Sequence, residues 1–156
     1  VVDRGLRESK CIQMEKLCIK PKEKVWVVNV DVQVMNHDGN LFDAASLASI
    51  AALLNAKLLK YDAENGKALY GQPDQQPLPI VDKPVEVTVA KISGKLFLDT
   101  TAEEESALDA RLTIATTGAG QICAMQKGEK GFFTAEEAIK AVELAIEKGK
   151  ELRALL

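Results

Sequence analysis

A chain of 156 residues that is 47% hydrophobic and 28% charged has the composition of one ordinary globular domain or two very small ones. Its net charge of −3 excludes a surface coated all round in positive charge for nucleic acid, but not a local basic patch. Aromatic residues make up only 4%, so the core must be built from Val, Ile, Leu and Ala.

Residues from about Asp3 to Leu17 read as an amphipathic helix. Leu6, Ile12 and Leu17 alternate with Arg4, Arg7, Glu8, Lys10 and Glu15, and Pro21 ends the segment. The chain starts on this helix without a methionine, which reads as the inside of a longer protein with its N-terminal part missing. Next comes the clearest strand. Trp26, Val28, Val30, Val32 and Val34 share one face of a period-2 run that continues to Met35. Asn36 to Asn40 is a polar turn holding His37, the sole histidine. A second helix is expected from about Leu41 to Leu58. Ala44, Leu47, Ala48, Ala51, Leu54 and Leu58 recur at helical spacing, and Asp43 sits in the first turn.

From Lys60 to Asp82 the glycines and prolines, Pro73 among them, predict a long connecting loop. Pro84 then leads into an alternating strand over 85–90, a Ser93-Gly94 turn and a returning strand over 95–99. The acidic run Glu103-Glu104-Glu105 precedes a strand over 110–115, the Gly118-Ala119-Gly120 turn and a strand over 121–127. The last helix has Thr134 and Glu137 at capping-box spacing, with Ile139, Val142, Ala145, Ile146 and Leu152 as its apolar stripe and Gly149 as a mild interruption. This order predicts an α+β fold with antiparallel meanders and helices on one face.

Four places could carry chemistry. Arg4 and Arg7, three apart on one helical face, could grip successive phosphates or simply form a solvated face paired with Glu8. The acidic run, taken as a loop between strands, could hold Mg²⁺ or supply an acid/base pair, or be a solvated charge run. The glycine cluster suits a hairpin turn better than an anion cradle. His37 has no cysteine or serine arranged beside it for nucleophilic catalysis. Cys11, Cys18 and Cys123 are odd in number and scattered, so they read as small buried hydrophobes in a reducing compartment rather than a disulfide framework or a zinc site. No apolar run spans a membrane and no signal peptide is visible, so the cytoplasm is the expected location.

Three stretches carry a resemblance when taken in order: Val2-Asp3-Arg4-Gly5-Leu6-Arg7-Glu8-Ser9, Asp38-Gly39-Asn40-Leu41-Phe42-Asp43-Ala44, and Glu103-Glu104-Glu105 through Asp109-Ala110-Arg111. Together they resemble the RNase PH-like subunits of the archaeal exosome, and among these the subunit without its own active site. The resemblance implies an RNase PH-like fold, with βαβα architecture similar to ribosomal protein S5 domain 2. On it, residues 1–59 are the C-terminal portion of a first subdomain, 60–82 a connecting loop and 83–156 a second subdomain. It implies a hexameric ring in which the chain alternates with a catalytic paralogue. Single-stranded RNA and RNA-binding cap proteins are the further partners, no cofactor is implied, and RNA is shortened from its 3′ end by phosphate. Catalytic members carry two aspartates where this chain has Glu105 and Arg111. A guanidinium there repels a metal and cannot exchange a proton at neutral pH, so the acidic run becomes a degenerate site with no catalytic or metal-binding residue. The same context favours RNA contact by Arg4 and Arg7. The alternative is an active phosphorolytic 3′→5′ exoribonuclease, or a tRNA-processing enzyme of the same fold, which would need an acid at Arg111.

Overall fold

The computed structural model describes residues 1–71 and 76–156. The opening helix, α1, covers only Val2–Glu8 and stops well short of Leu17. Ser9 Oγ donates back to the Leu6 carbonyl at 3.0 Å, and Lys10 takes a left-handed φ of +54°. This turn drops Cys11 and Leu17 into the interior, where they are 0% and 1% exposed, and lets Ile12 bridge to Ile80. Burying these side chains outweighs continuing one amphipathic helix across the surface. A 3₁₀ turn, Met14–Leu17, leads into β1 (Cys18–Lys20), which pairs with β2 (Lys24–Val25). Cys18 is exposed on this hairpin and Cys123 is only half-buried, so the expectation that all three cysteines are buried holds for Cys11 alone.

The valine-rich run over 26–35 pairs with no strand among the described residues. Val27, Val32 and Val34 are exposed, and Met35 is 97% exposed. Alternation in a sequence reports which side chains share a face, but a strand also needs a partner ladder, and periodicity does not supply one. Only the start of the run is anchored: Trp26 and Val28 pack with Leu6, Ile12 and Leu58 around the buried Leu17, Leu53 and Leu78.

The second helix, α2, spans Leu41–Asn55. Its buried side is Ser46, Ser49, Ile50 and Leu53, rather than the stripe through Ala44, Leu47, Ala48, Ala51 and Leu54. The helix is apolar nearly all round, so its sequence singles out no face. The serines win because they are small and can bond: Ser49 Oγ donates to the Ala45 carbonyl at 2.7 Å, and Ser46 Oγ accepts from the Glu86 amide at 3.2 Å. The end of the expected helix is instead a short strand, β3 (Lys57–Leu58), and the segment read as a long loop holds three more, β4 (Lys60–Asp62), β5 (Lys67–Leu69) and β6 (Gln76–Pro77). They pair as β4–β5 across the Gly66 turn and as β3–β6. Pro73 lies outside the described residues.

A four-stranded antiparallel sheet follows. Its strands are β7 (Val85–Ile92), β8 (Lys95–Leu98), β9 (Ala110–Thr116) and β10 (Ile122–Gly128), in the order β10-β9-β7-β8. The acidic run forms neither loop nor strand. It is a short helix, α3 (Ala102–Glu105), capped by Thr101 and Glu104 in a reciprocal capping box. The final helix, α4 (Ala135–Arg153), starts on the expected Thr134–Glu137 box.

Helices cover both faces of this sheet, not one. Val87, Val89, Leu112 and Ile114 point to α4, where Ala141 and Ala145 are fully buried. Glu86, Thr88, Thr113 and Ala115 point the other way, under α1 and α2, and every one of them is buried. On α4 the buried line is Ala141, Ala145 and Gly149, while Ile139 is 62% exposed. Gly149 is a packing requirement, since a Cβ there would stand 2.7 Å from Thr116 Oγ1. Arg153 closes the helix end by donating to the Thr116 carbonyl and hydroxyl, both at 3.0 Å.

Candidate functional site

The arginines, the acidic run and His37 singled out from sequence fall in two regions on the α1/α2 side of the sheet, while the Gly118–Gly120 turn lies apart, with Gly120 near Ile146 of α4. In the first, α1 lies against β10, β9 and β7, and its one buried residue is Gly5. A Cβ at Gly5 would meet Glu86 Oε1 at 3.1 Å and the Ala115 methyl at 3.2 Å, so glycine sets how closely the helix seats. Arg4 and Arg7 are exposed on the outer side. Arg7 is paired with Asp3 one turn back, not with Glu8. Its Nε donates to both carboxylate oxygens at 2.9 and 3.0 Å, and its Nη2 donates at 2.7 Å. That guanidinium holds the Asp3 carboxyl below the usual carboxylate range. The pair is open to solvent on both sides, so a phosphate can compete with Asp3 for the same fork of donors.

The second region is where the 36–40 loop meets α3 and the start of β9. Gly39 and Asn40 both take left-handed backbone, φ +89° and +47°. The Asn40 amide donates to Glu105 Oε1 at 2.8 Å, and its side-chain Nδ2 donates to Asp99 Oδ1 at 2.9 Å. Asp38 Oδ1 accepts from the Ala102 amide at 3.3 Å, in the first turn of α3. Three of the carboxylates around the acidic run are therefore committed to fastening a loop. No group of three or more His, Cys, Asp or Glu residues among the described ones could hold a metal ion. Arg111, the second residue of β9, has its guanidinium 4.6 Å from the centroid of the Phe42 ring, and one nitrogen 3.8 Å from Glu129. Gly128 on β10 leaves room for this arginine, since a Cβ there would lie 2.6 Å from Nε. His37 is an exposed turn residue whose Nδ1 accepts from the Gly39 amide at 3.3 Å. The Gly118–Gly120 turn is tied down by the Gly118 amide donating to Asp82 at 2.8 Å.

Between the two regions runs a buried polar chain that the sequence did not single out. Asp43 accepts from the Thr88 amide at 2.9 Å and from its hydroxyl at 2.7 Å, and the Thr88 and Thr113 hydroxyls lie 2.9 Å apart. Burial pushes the Asp43 carboxyl up to about 6. Beside this chain, Glu86 is 1% exposed, and neither carboxylate oxygen has a hydrogen-bond partner among the described residues. Burial pushes it up to about 7, with the nearby Asp43 charge acting in the same sense. A glutamate inside the alternation Val85-Glu86-Val87-Thr88 reads as solvent-facing when only one face of the sheet is assigned to the core, which is why sequence reasoning passed over it.

Two family models match the chain, "3' exoribonuclease family, domain 1" over residues 1–58 and "3' exoribonuclease family, domain 2" over residues 82–148. The chain belongs to the 3′ exoribonuclease family. Within it, the chain is 48% identical to the exosome complex component Rrp42 of Pyrococcus horikoshii, over 100% of this chain and 57% of that protein. It is 45% identical to Rrp42 of Methanothermobacter thermautotrophicus, over 97% of this chain and 56% of that protein. A chain of the Archaeoglobus fulgidus exosome, solved with RNA bound to the active site, superposes with a TM-score of 0.86 at 37% identity, covering 98% of this chain and 57% of that one. This member of the 3′ exoribonuclease family thus spans little more than half the length of the curated relatives it matches. The Asp38, Asn40, Asp99 and Glu105 bonds run from one matched stretch to the other, and so tie the two family domains together.

Proposed function

We propose that this chain is the non-catalytic subunit of an archaeal exosome ring, where it supports assembly and RNA binding while a catalytic paralogue degrades RNA from the 3′ end with phosphate. The observation that carries this reading is Arg111. It is a cation against Phe42 at the position where catalytic members of the family carry an acid, and Glu105, at the other such position, is bonded to a backbone amide. A carboxylate there can bind a metal or trade a proton, but a guanidinium can do neither. The reading is further supported by the solved archaeal exosome chains that this fold matches along nearly its whole length. On the same reading the protein works in the cytoplasm with RNA-binding cap proteins, residues 1–59 are the C-terminal portion of its first subdomain, and 83–156 are its second.

The deciding experiment is phosphate-dependent shortening of a 3′-tailed RNA by the full-length protein, alone and mixed with the paralogue that carries the acidic pair. Activity only in the mixture is expected. Turnover by this protein alone would overturn the proposal in favour of an active enzyme.

Arg4 and Arg7 are the RNA contacts in this reading, through phosphates and therefore with little regard to base sequence. Arg4→Ala with Arg7→Ala in the assembled ring should weaken RNA binding about tenfold at moderate salt. It should also flatten the salt dependence, by about 0.7 in log–log slope for each phosphate left unpaired. An unchanged salt slope, measured by fluorescence anisotropy across a salt series, would remove the arginines from the RNA path.

A further inference from the structure

A second concentration of positive charge follows α1 along the chain. Residues 10–24 and 57–67 together hold eight lysines and four carboxylates, in a chain whose overall charge is −3. Two of those carboxylates are already engaged. Glu23 is bonded to Lys20 at 2.7 Å, and Asp62 accepts the Glu64 and Asn65 amides and the Asn65 side chain in its own turn. The fold brings the two segments together, because Lys24 Nζ donates to the Tyr61 hydroxyl at 2.6 Å and lies close against Gly66. Lys24 Nζ is 5.3 Å from the ring centroid, which with its 2.6 Å bond to the hydroxyl places it out beyond the hydroxyl, so much of the aromatic face of Tyr61 stays open.

Between the hairpins is an open cleft of about 430 Å³ lined by Lys16, Trp26, Lys60 and Tyr61 among others. These two lysines are exposed, as is Lys24, which is bonded to Tyr61 but does not line the cleft, and the Trp26 and Tyr61 rings are half-buried. Half-buried rings are fixed by their surroundings while keeping part of their surface open. Such a ring offers a base a stacking platform at little entropic cost, and flanking ammonium groups pair with the phosphates on either side. An acidic protein segment would need the charge but not the rings. We infer that this cleft is a second contact for single-stranded RNA, with a base against Trp26 or Tyr61 and phosphates on Lys16, Lys24 and Lys60.

The inference rests on the RNA-binding reading above, and one experiment separates the two. Trp26 is the chain's only tryptophan, so its fluorescence reports this cleft, while anisotropy of a labelled oligouridylate reports total binding. In the 156-residue chain the oligouridylate should quench Trp26 saturably, and less so as salt rises. Lys16→Ala, Lys24→Ala and Lys60→Ala together should weaken the quenching transition about tenfold. The corresponding triple Lys→Arg variant should restore it, which guards against a folding defect. Arg4→Ala with Arg7→Ala should lower total affinity and leave the quenching amplitude at saturation in place. Binding by anisotropy with no Trp26 response, or an unchanged transition in the alanine triple variant, would overturn the second contact and spare the arginine reading. No binding of RNA at all would overturn both. Quenching by polyglutamate but not by oligouridylate would make the cleft a protein-docking site and overturn this inference.

Discussion

Gly39→Ala should destabilise the protein by about 3 kcal/mol, one of the largest effects of any single methyl group in the chain. Gly39 sits at φ +89°, where an L-residue pays about 1–2 kcal/mol for the left-handed backbone alone. Its surroundings add more. A Cβ would be driven into the Thr100 carbonyl oxygen, and would stand 2.6 Å from the Thr101 carbonyl carbon and 2.8 Å from the Ala102 amide. Those atoms are backbone and cannot rotate away. Relief requires moving the loop off α3, which breaks the bonds made by Asp38 and Asn40, each worth about 1 kcal/mol. Gly71 provides the comparison: its φ is +72°, but no atom of the described residues lies within 4 Å of its Cβ position. Gly71→Ala should therefore cost only about 1 kcal/mol. Equal losses for the two variants in urea unfolding would show that the contact with α3 carries no weight.

The second large effect concerns Glu86. Its pKa is about 7 in the folded protein against an ordinary 4.5, so the folded state keeps a proton that the unfolded chain releases. The contribution of Glu86 is then fully present below about pH 4.5, declines as pH rises toward 7, and is lost above it. Asp43, raised from 3.8 to about 6, pushes in the same direction at slightly lower pH, while the amino group of Val1 opposes the shift at Glu86. The Glu86 share amounts to about 2–3 kcal/mol across this window. Glu86→Gln cannot ionise, so it should lose that share of the pH slope and be the more stable protein at pH 8, by about 2 kcal/mol. Urea unfolding from about pH 4.5 to 8 measures both. A wild-type and a variant curve with the same slope would show that Glu86 is not held neutral by its burial.

Much of the sheet and the last helix was legible from the sequence, because their signals are local. Pro84, the Ser93-Gly94 turn, the Gly118–Gly120 turn and the Thr134–Glu137 box each act over a few residues. What could not be read was the third dimension. Nothing in the period of 85–90 says that two helices, not water, cover Glu86 and Thr88. Nothing in the valines of 26–35 says whether a partner strand is at hand. The break at Lys10 depends on Cys11 and Ile12 finding places in a core made largely by distant residues such as Leu53, Leu78 and Ile80. The site was half legible for the same reason. The arginines and the acidic run stand out as residue types, but the pairing of Arg7 with Asp3, the seat of Arg111 on Phe42 and the fastening role of Glu105 are matters of geometry.

The position of α1 also has a cost in chain entropy. Its contact with β10, where Cys123 Sγ reaches the Gly5 carbonyl at 3.7 Å, joins residues 118 apart. The Asp43–Thr88 contact that seats α2 closes a loop of 45. The logarithmic growth of closure entropy makes the longer loop about 0.9 kcal/mol more expensive. Against this, α1 is seven residues long and buries only Gly5 completely. The arginines are thus carried by the helix with the longest loop to close and little core of its own to hold it.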